Sequence, residues 1–90
     1  MVPSTQRVAL GENALLECQP PRGHPEPVVT WKKNGQTLEL VLYVARFRLV
    51  DGGSLAIQDV RPSDDGRYQC VAKNQAGNRE TPPANLRKHV

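Results

Sequence analysis

The sequence contains little of the chemistry from which catalytic and metal sites are built. Its 90 residues include two histidines, and aromatic residues make up 4% of the chain. His24 lies in a proline-rich stretch and His89 lies next to the C-terminus, and neither is spaced from a cysteine like a zinc ligand. Asp64 and Asp65 are adjacent, and neighbouring carboxylates in a turn seldom converge as an acid and a base. We therefore predict that the chain is not an enzyme and that it uses no metal and no cofactor.

Long hydrophobic runs are also missing. No stretch approaches the roughly 20 apolar residues of a membrane span, so we expect no direct membrane insertion. The start, Met1-Val2-Pro3-Ser4, lacks the charged and then apolar layout of a secretory signal, and no Asn-X-Ser/Thr glycosylation site occurs. We expect residues 1–90 to be one domain excised from a larger multidomain protein, which would carry any signal peptide, membrane anchor or neighbouring domain.

Short apolar runs separated by Gly, Pro, Asn and Asp, at intervals of about ten residues, predict an all-β chain. The predicted strands cover residues 5–10, 14–19, 29–32, 36–38, 46–50, 54–57 and 67–73. Because side chains alternate with a period of two along a strand, we expect Arg46, Arg48 and Val71 to point outward and Leu49 to point inward. The last strand contains Pro82-Pro83, so it must be bulged at the prolines or lie at a sheet edge.

Two cysteines, Cys18 and Cys70, bracket the single tryptophan, and a tyrosine precedes the second cysteine by two positions. This spacing is typical of an immunoglobulin-like β-sandwich, in which a cystine joins two antiparallel sheets, the indole packs on it and the tyrosine ties a corner. We predict this fold. The side chains expected in its core are Trp31, Leu55, Ile57 and Tyr68.

A disulfide between Cys18 and Cys70 would stabilise so small a domain by about 4 kcal/mol, because it restricts the unfolded chain. It implies an oxidising compartment, usually outside the cell. The alternative is a pair of reduced, buried cysteines in an intracellular protein of the same fold.

Two further segments carry specific expectations. In the predicted corner at residues 62–66, we expect Asp64 to act as a cap beside Gly66 and to pair with Arg46 or Arg48. The apolar run at residues 40–44 is interpreted as an edge strand partly packed on the core, the alternative being an exposed patch that self-associates or meets a partner.

The formal net charge of +3 and the pI near 9.2 favour polyanions such as sulfated glycans over neutral partners. Alternation places Lys32, Arg67 and Lys73 on one exposed sheet face, and the alternative is a set of scattered, solvated charges. Nucleic acid is not expected, because the chain has neither a base-reading helix nor an aromatic platform. The candidate glycan-binding residues are Arg22, Lys32, Lys33, Arg67 and Lys73, with Arg79 beside them.

The motifs together resemble an intermediate-set immunoglobulin domain along the whole chain. They are Gly11-Glu12, Leu16-Glu17-Cys18, Pro25-Glu26-Pro27, Trp31-Lys32-Lys33-Asn34-Gly35, Gly53-Ser54-Leu55-Ala56-Ile57, Asp64-Asp65-Gly66-Arg67-Tyr68-Gln69-Cys70 and Asn74-Gln75-Ala76-Gly77. More narrowly, residues 18–27, 50–53 and 78–80 are similar to the second immunoglobulin domain of roundabout receptors.

The resemblance to roundabout receptors implies a place in the extracellular part of a single-pass neuronal receptor for axon guidance. Such receptors bind Slit through its leucine-rich repeats, mainly with their first domain, while the second supports its orientation and shares in binding heparan sulfate. The implied partners are a Slit-type ligand, heparan sulfate and adjacent immunoglobulin domains. The alternatives are a structural or homophilic adhesion domain at the cell surface and a muscle-type scaffold domain inside the cell.

Overall fold

The computed structural model describes residues 4–18, 27–39, 46–75 and 77–89, and within these ranges every regular element except one short 3-10 helix is a β-strand. The helix covers Pro62–Asp64. The strands are β1 (Gln6–Ala9), β2 (Ala14–Leu16), β3 (Val28–Lys33), β4 (Gln36–Thr37), β5 (Phe47–Val50), β6 (Ser54–Ile57), β7 (Gly66–Asn74), β8 (Gly77–Glu80) and β9 (Ala84–His89). None of the described residues forms a helix long and apolar enough to cross a membrane.

The strands form two sheets, which confirms the predicted all-β sandwich. The larger sheet has the order β1-β9-β7-β3-β4, with β8 also paired to β7, and the smaller sheet has the order β2-β6-β5. The pairing is antiparallel throughout except between β1 and β9, which run parallel. The predicted second strand is shorter than expected, since β2 ends at Leu16. The predictions for Arg22, His24 and the apolar run at 40–44 lie outside the described residues.

The core lies between the two sheets and is crossed by the predicted disulfide. Cys18 follows β2 and Cys70 lies in β7, with their Cα atoms 6.3 Å apart. Trp31 and Tyr68 are both fully buried beside them. The other fully inaccessible core side chains are Leu16, Leu55, Ile57 and Leu86. The bond therefore links the smaller sheet to the centre of the larger one.

The indole of Trp31 is fixed by a hydrogen bond as well as by packing. Its Nε1 donates to the carbonyl oxygen of Gly53 at 2.8 Å, at the start of β6. Gly53 has φ +149°, and a Cβ there would lie 3.0 Å from Cγ2 of Val29. Only glycine therefore lets the β5–β6 turn approach β3 closely enough for the indole to reach that carbonyl.

Two side chains have an exposure that alternation alone does not predict. Val71 points away from the core, as predicted, yet it is 1% exposed, because Thr30 and Glu80 stand opposite it on the two neighbouring strands. Leu49 shares an inward-facing row with Leu55, yet it is 40% exposed, since β5 is the last of the described strands on that side of the smaller sheet. The position of each strand within its sheet determines the exposure of both side chains, and the sequence pattern does not provide that position.

The last strand, predicted to be bulged at Pro82-Pro83 or to lie at a sheet edge, is divided into two strands by the prolines. They separate β8, which pairs with residues 71–74 of β7, from β9, which pairs with residues 66–68. Thr81 spans the interruption: its N–H donates to the Cys70 carbonyl at 3.0 Å, and its Oγ1 accepts from the Cys70 N–H at 3.0 Å. Because β1 pairs with its other side, β9 lies inside the sheet.

Replacing Trp31 with alanine tests this core. We expect Trp31→Ala to lower the free energy of unfolding by about 3–5 kcal/mol, because it leaves a large cavity against the disulfide. Urea denaturation followed by circular dichroism measures the change. The control is Val28→Ala, at a side chain in the same strand that is 65% exposed, where a change within about 0.5 kcal/mol is expected. Equal effects of the two substitutions would contradict the assignment of the core.

Candidate functional site

The candidate site is the side of the larger sheet turned away from the core, here called the outer face. Trp31, Tyr68 and Cys70 are buried on the inner side of β3 and β7. Because side chains alternate along a strand, Lys32 of β3 and Arg67 of β7 point to the outer face. The register sets their spacing, since Lys32 stands opposite Gln69, which lies two residues beyond Arg67.

Lys73 lies on the outer face of the same strand, but at some distance from the other two. It stands opposite Val28 on β3 and Asn78 on β8. It lies four positions beyond Gln69 along β7, which places it about 13 Å from the row that holds Lys32. The structure therefore brings Lys32 and Arg67 close together and leaves Lys73 at the far end of the face.

Lys32 has an acidic partner that the sequence did not reveal. Its Nζ lies 3.1 Å from Oε1 of Glu80, and the two side chains are 31% and 39% exposed. Exposed pairs of this kind contribute at most about 1 kcal/mol and are screened by salt. The pair holds the lysine over the sheet and lowers the local positive charge. Finding Glu80 from the sequence would have required the register of β8 against β7.

Lys33 and Arg79 do not share the outer face. Lys33 stands opposite Tyr68, its Nζ lies 5.9 Å from the centroid of that ring, and it donates a hydrogen bond to the carbonyl of Ser63. Its charge therefore lies at the corner of the domain. Arg79 stands opposite the inward-facing Ala72, so it projects from the other side of β8.

The corner contains the strongest electrostatic contact among the described residues. Asp64 is buried and accepts two hydrogen bonds from the guanidinium of Arg46, at 2.7 and 3.1 Å. Its Oδ2 also accepts from the N–H of Arg61 at 2.9 Å, and its carbonyl accepts from the hydroxyl of Tyr68 at 2.7 Å. Of the two arginines considered from the sequence, Arg46 makes the pair. Its side chain, predicted to point outward, is 16% exposed because it turns toward this carboxylate.

Opposing effects set the ionisation of the pair. Burial alone would raise the pKa of Asp64, but hydrogen bonds from Arg46 and from the Arg61 N–H, together with the charges of Arg46 and Lys33, lower it below its ordinary value. The hydrogen bond with Asp64 in turn raises the pKa of Arg46. Both groups are therefore charged at neutral pH, and the corner is a structural ion pair.

This pair should make the domain sensitive to acid. Because the pKa of Asp64 is lower in the folded state, its contribution to stability is complete above the ordinary carboxyl pKa of about 4 and is lost as the pH falls through the folded value. Asp64→Asn should cost about 3–5 kcal/mol at pH 7, since it leaves Arg46 without its charged partner. Urea midpoints measured from pH 7 down to pH 2 test both statements.

The matched control is Asp59→Asn. Asp59, 61% exposed, pairs at 3.7 Å with Arg61, 59% exposed, so its loss should change stability by about 1 kcal/mol or less. An acid transition in Asp64→Asn as steep as that of the unsubstituted protein would contradict the role of Asp64.

The parallel pairing of β1 and β9 adds two arginines to the outer face that sequence reasoning missed. Arg7 stands directly opposite Arg87. Alternation within each strand points both outward, because their neighbours Val8 and Leu86 are buried. Their proximity could not be found from the sequence, since it depends on pairing between the two ends of the chain.

The side chains of the outer face are suited to binding a ligand rather than to making or breaking covalent bonds. Within the described parts of the chain, no group of three or more His, Cys, Asp or Glu side chains is placed to hold a metal ion. The face carries basic and amide side chains around Thr30, the buried Val71 and the acidic Glu80. Such a surface can bind an anionic ligand through salt bridges and hydrogen bonds.

Comparison with known proteins identifies relatives of the chain. A family model described as an immunoglobulin domain matches residues 1–74. Roundabout homolog 1 of Mus musculus is 49% identical over 93% of this chain, and Protein sax-3 of Caenorhabditis elegans is 48% identical over 93%. The matched segment is 5% of the first relative and 6% of the second, so the chain spans a small fraction of their length.

Two solved structures are also similar. The N-terminal Ig1-2 module of the Drosophila receptor protein tyrosine phosphatase DLAR superposes with a TM-score of 0.91 at 32% identity, covering 100% of this chain and 44% of the module. The titin M3 domain superposes with a TM-score of 0.84 at 27% identity, covering 99% of this chain and 92% of that domain.

Proposed function

The chain belongs to the immunoglobulin-domain family, and from this premise we propose that it is an extracellular ligand-binding module of an axon-guidance receptor. The observation that carries the proposal is the 49% identity to Roundabout homolog 1 over 93% of the chain. The resemblance to roundabout receptors implies a single-pass protein at the cell surface. In this role the domain binds by complementarity of charge and shape and performs no chemical reaction.

The cross-sheet disulfide supports the extracellular location. Disulfides persist in oxidising compartments and are rare in the cytosol. The Cys18–Cys70 bond lies in the core, with both residues at most 2% exposed. It is therefore suited to a permanent structural role in a secreted or cell-surface domain.

A neighbouring domain has the larger share in binding the protein ligand. The resemblance implies a Slit-type leucine-rich-repeat ligand whose main contact lies on an adjacent immunoglobulin domain. The similarity to a two-domain DLAR module supports a tandem arrangement, because this chain covers 44% of that module. The domain described here positions its neighbour and contributes a second contact of its own.

That second contact is with heparan sulfate. The outer face presents Lys32, Arg67 and Lys73, all exposed or half-buried, and the chain carries a formal net charge of +3. Arg22 and Lys33 are the remaining candidates; the position of Lys33 at the corner makes it a peripheral contact. A sulfated glycan suits this surface, because its charges repeat along a flexible chain and need no deep pocket.

Salt-dependent heparin binding tests this proposal. The unsubstituted domain should bind heparin with an affinity that falls as salt rises, because each contact releases counterions. The triple variant Lys32→Ala, Arg67→Ala, Lys73→Ala should bind at least tenfold more weakly. The slope of its plot of log affinity against log salt should be smaller in magnitude by about two to three. Isothermal titration calorimetry at several salt concentrations provides both values.

Arg48→Ala serves as the control, since Arg48 is an exposed arginine of the smaller sheet. It should leave affinity and slope nearly unchanged. If the unsubstituted domain bound no heparin at physiological salt, the glycan role would be wrong and the domain would act as a spacer between its neighbours.

A second candidate function is a structural scaffold domain inside the cell. The similarity to titin M3 at 27% identity, covering 92% of that domain, favours it. The redox state separates the two candidates, because an intracellular scaffold would carry reduced cysteines. We expect no free thiol when the protein isolated from its native source is denatured without reductant and treated with a thiol reagent. Two reactive thiols per chain would instead favour the scaffold.

A further inference from the structure

Two arginines from opposite ends of the chain stand side by side on the outer face. In the parallel pairing of β1 with β9, Arg7 is the register partner of Arg87. Directly opposed residues on neighbouring strands have Cβ atoms about 5 Å apart, and like charges in this position are destabilising. The fold therefore holds two positive charges together where a neutral pair would be more stable.

The positive charge continues across the sheet. Arg67 of β7 stands opposite Asn85 of β9, which places it on the diagonal from Arg87. Lys32 of β3 stands opposite Gln69, which places it on the next diagonal from Arg67. With strands about 4.8 Å apart and residues about 3.3 Å apart along each strand, the two diagonal steps are about 8 Å each.

These four side chains, Arg7, Arg87, Arg67 and Lys32, form a line that we call the basic track. It crosses β1, β9, β7 and β3 in spatial order, and its ends are about 20 Å apart by the same strand geometry. The polar residues Asn85 and Gln69 lie beside the line, and the amide nitrogen of Gln69 donates to the carbonyl of Thr81 at 3.0 Å. The track therefore has the dimensions of a surface for an extended ligand.

The arginines of the track have no acidic partner within ion-pair distance among the described residues. The ion pairs found there join Lys32 to Glu80, Arg46 to Asp64 and Arg61 to Asp59. Asp65, which precedes β7, accepts a hydrogen bond from the N–H of Lys88 at 3.2 Å. Arg7, Arg67 and Arg87 are exposed, so their guanidinium groups are available to an external anion.

We propose that the basic track is the docking surface for a sulfated polysaccharide lying diagonally across the sheet. The inference rests on the proposed glycan-binding function and assigns its path, which includes Arg7 and Arg87. Guanidinium groups bind oxyanions through paired hydrogen bonds, and a line of them matches a linear chain of repeating anions. Such a ligand would also relieve the repulsion between the two opposed arginines.

The experiment compares two double variants that remove the same charge. Arg7→Ala with Arg87→Ala lowers the formal net charge by two, as does Arg48→Ala with Arg61→Ala, which removes exposed arginines that lie off the track. We expect the first variant to bind heparin at least tenfold more weakly than the unsubstituted domain, with a salt slope lower by about two. The second variant should bind heparin within about threefold of the affinity of the unsubstituted domain, because it changes only the net charge and leaves the track intact.

Thermal melting provides the second readout and checks folding. Without ligand, the Arg7→Ala, Arg87→Ala variant should melt at the same temperature as the unsubstituted domain or higher, because like-charge repulsion is removed. Added heparin should raise the melting temperature of the unsubstituted domain more than that of this variant.

The outcomes distinguish the inference from the function on which it rests. If the unsubstituted domain binds heparin and the two double variants behave alike, the basic track is wrong while glycan binding stands. If the unsubstituted domain does not bind heparin at physiological salt, both are overturned. Weaker binding confined to the Arg7→Ala, Arg87→Ala variant, with an unchanged or higher melting temperature, supports the track.

Discussion

The bond between Cys18 and Cys70 fixes how the two sheets face each other, and the functional surface follows from that constraint. Cys70 lies in β7, which pairs with β3 along one side and with β8 and β9 along the other. Because Cys70 must point into the core, every second residue of β7 is turned to the opposite side. The cross-link thereby determines that Arg67 reaches the outer face, and the register of the neighbouring strands determines what stands beside it.

Two sets of charged side chains in this domain have different physical roles. Asp64 and Arg46 are largely shielded from water and hold the corner together through a paired hydrogen bond. The arginines of the outer face lie in water, where unpaired charge costs little and remains free to meet a ligand. A small domain can thus keep its stabilising electrostatics at one corner while a separate surface stays available for binding.

Much of the fold could be predicted from the sequence, because spacing and alternation are local properties. The spacing of the cysteines around Trp31 predicted the sandwich, and Pro82-Pro83 indicated that the last strand would be irregular. Burial that depends on register could not be predicted in this way: alternation gave the outward direction of Val71, but not its burial between Thr30 and Glu80. For the candidate site, alternation placed Lys32 and Arg67 on one face. The nearness of Arg7 to Arg87 depends on a long-range parallel pairing, for which the sequence has no local signal.

The split last strand has a consequence for the solubility of the protein. An unpaired strand edge invites other chains to add strands, which leads to aggregation. In β8 that edge is four residues long, and two of its exposed residues, Arg79 and Glu80, are charged. Pro82 and Pro83 follow after Thr81 and lack the N–H donors that a longer intermolecular ladder would need. The interruption therefore limits how far a second molecule could extend the sheet, while Thr81 keeps the strand attached to its own domain.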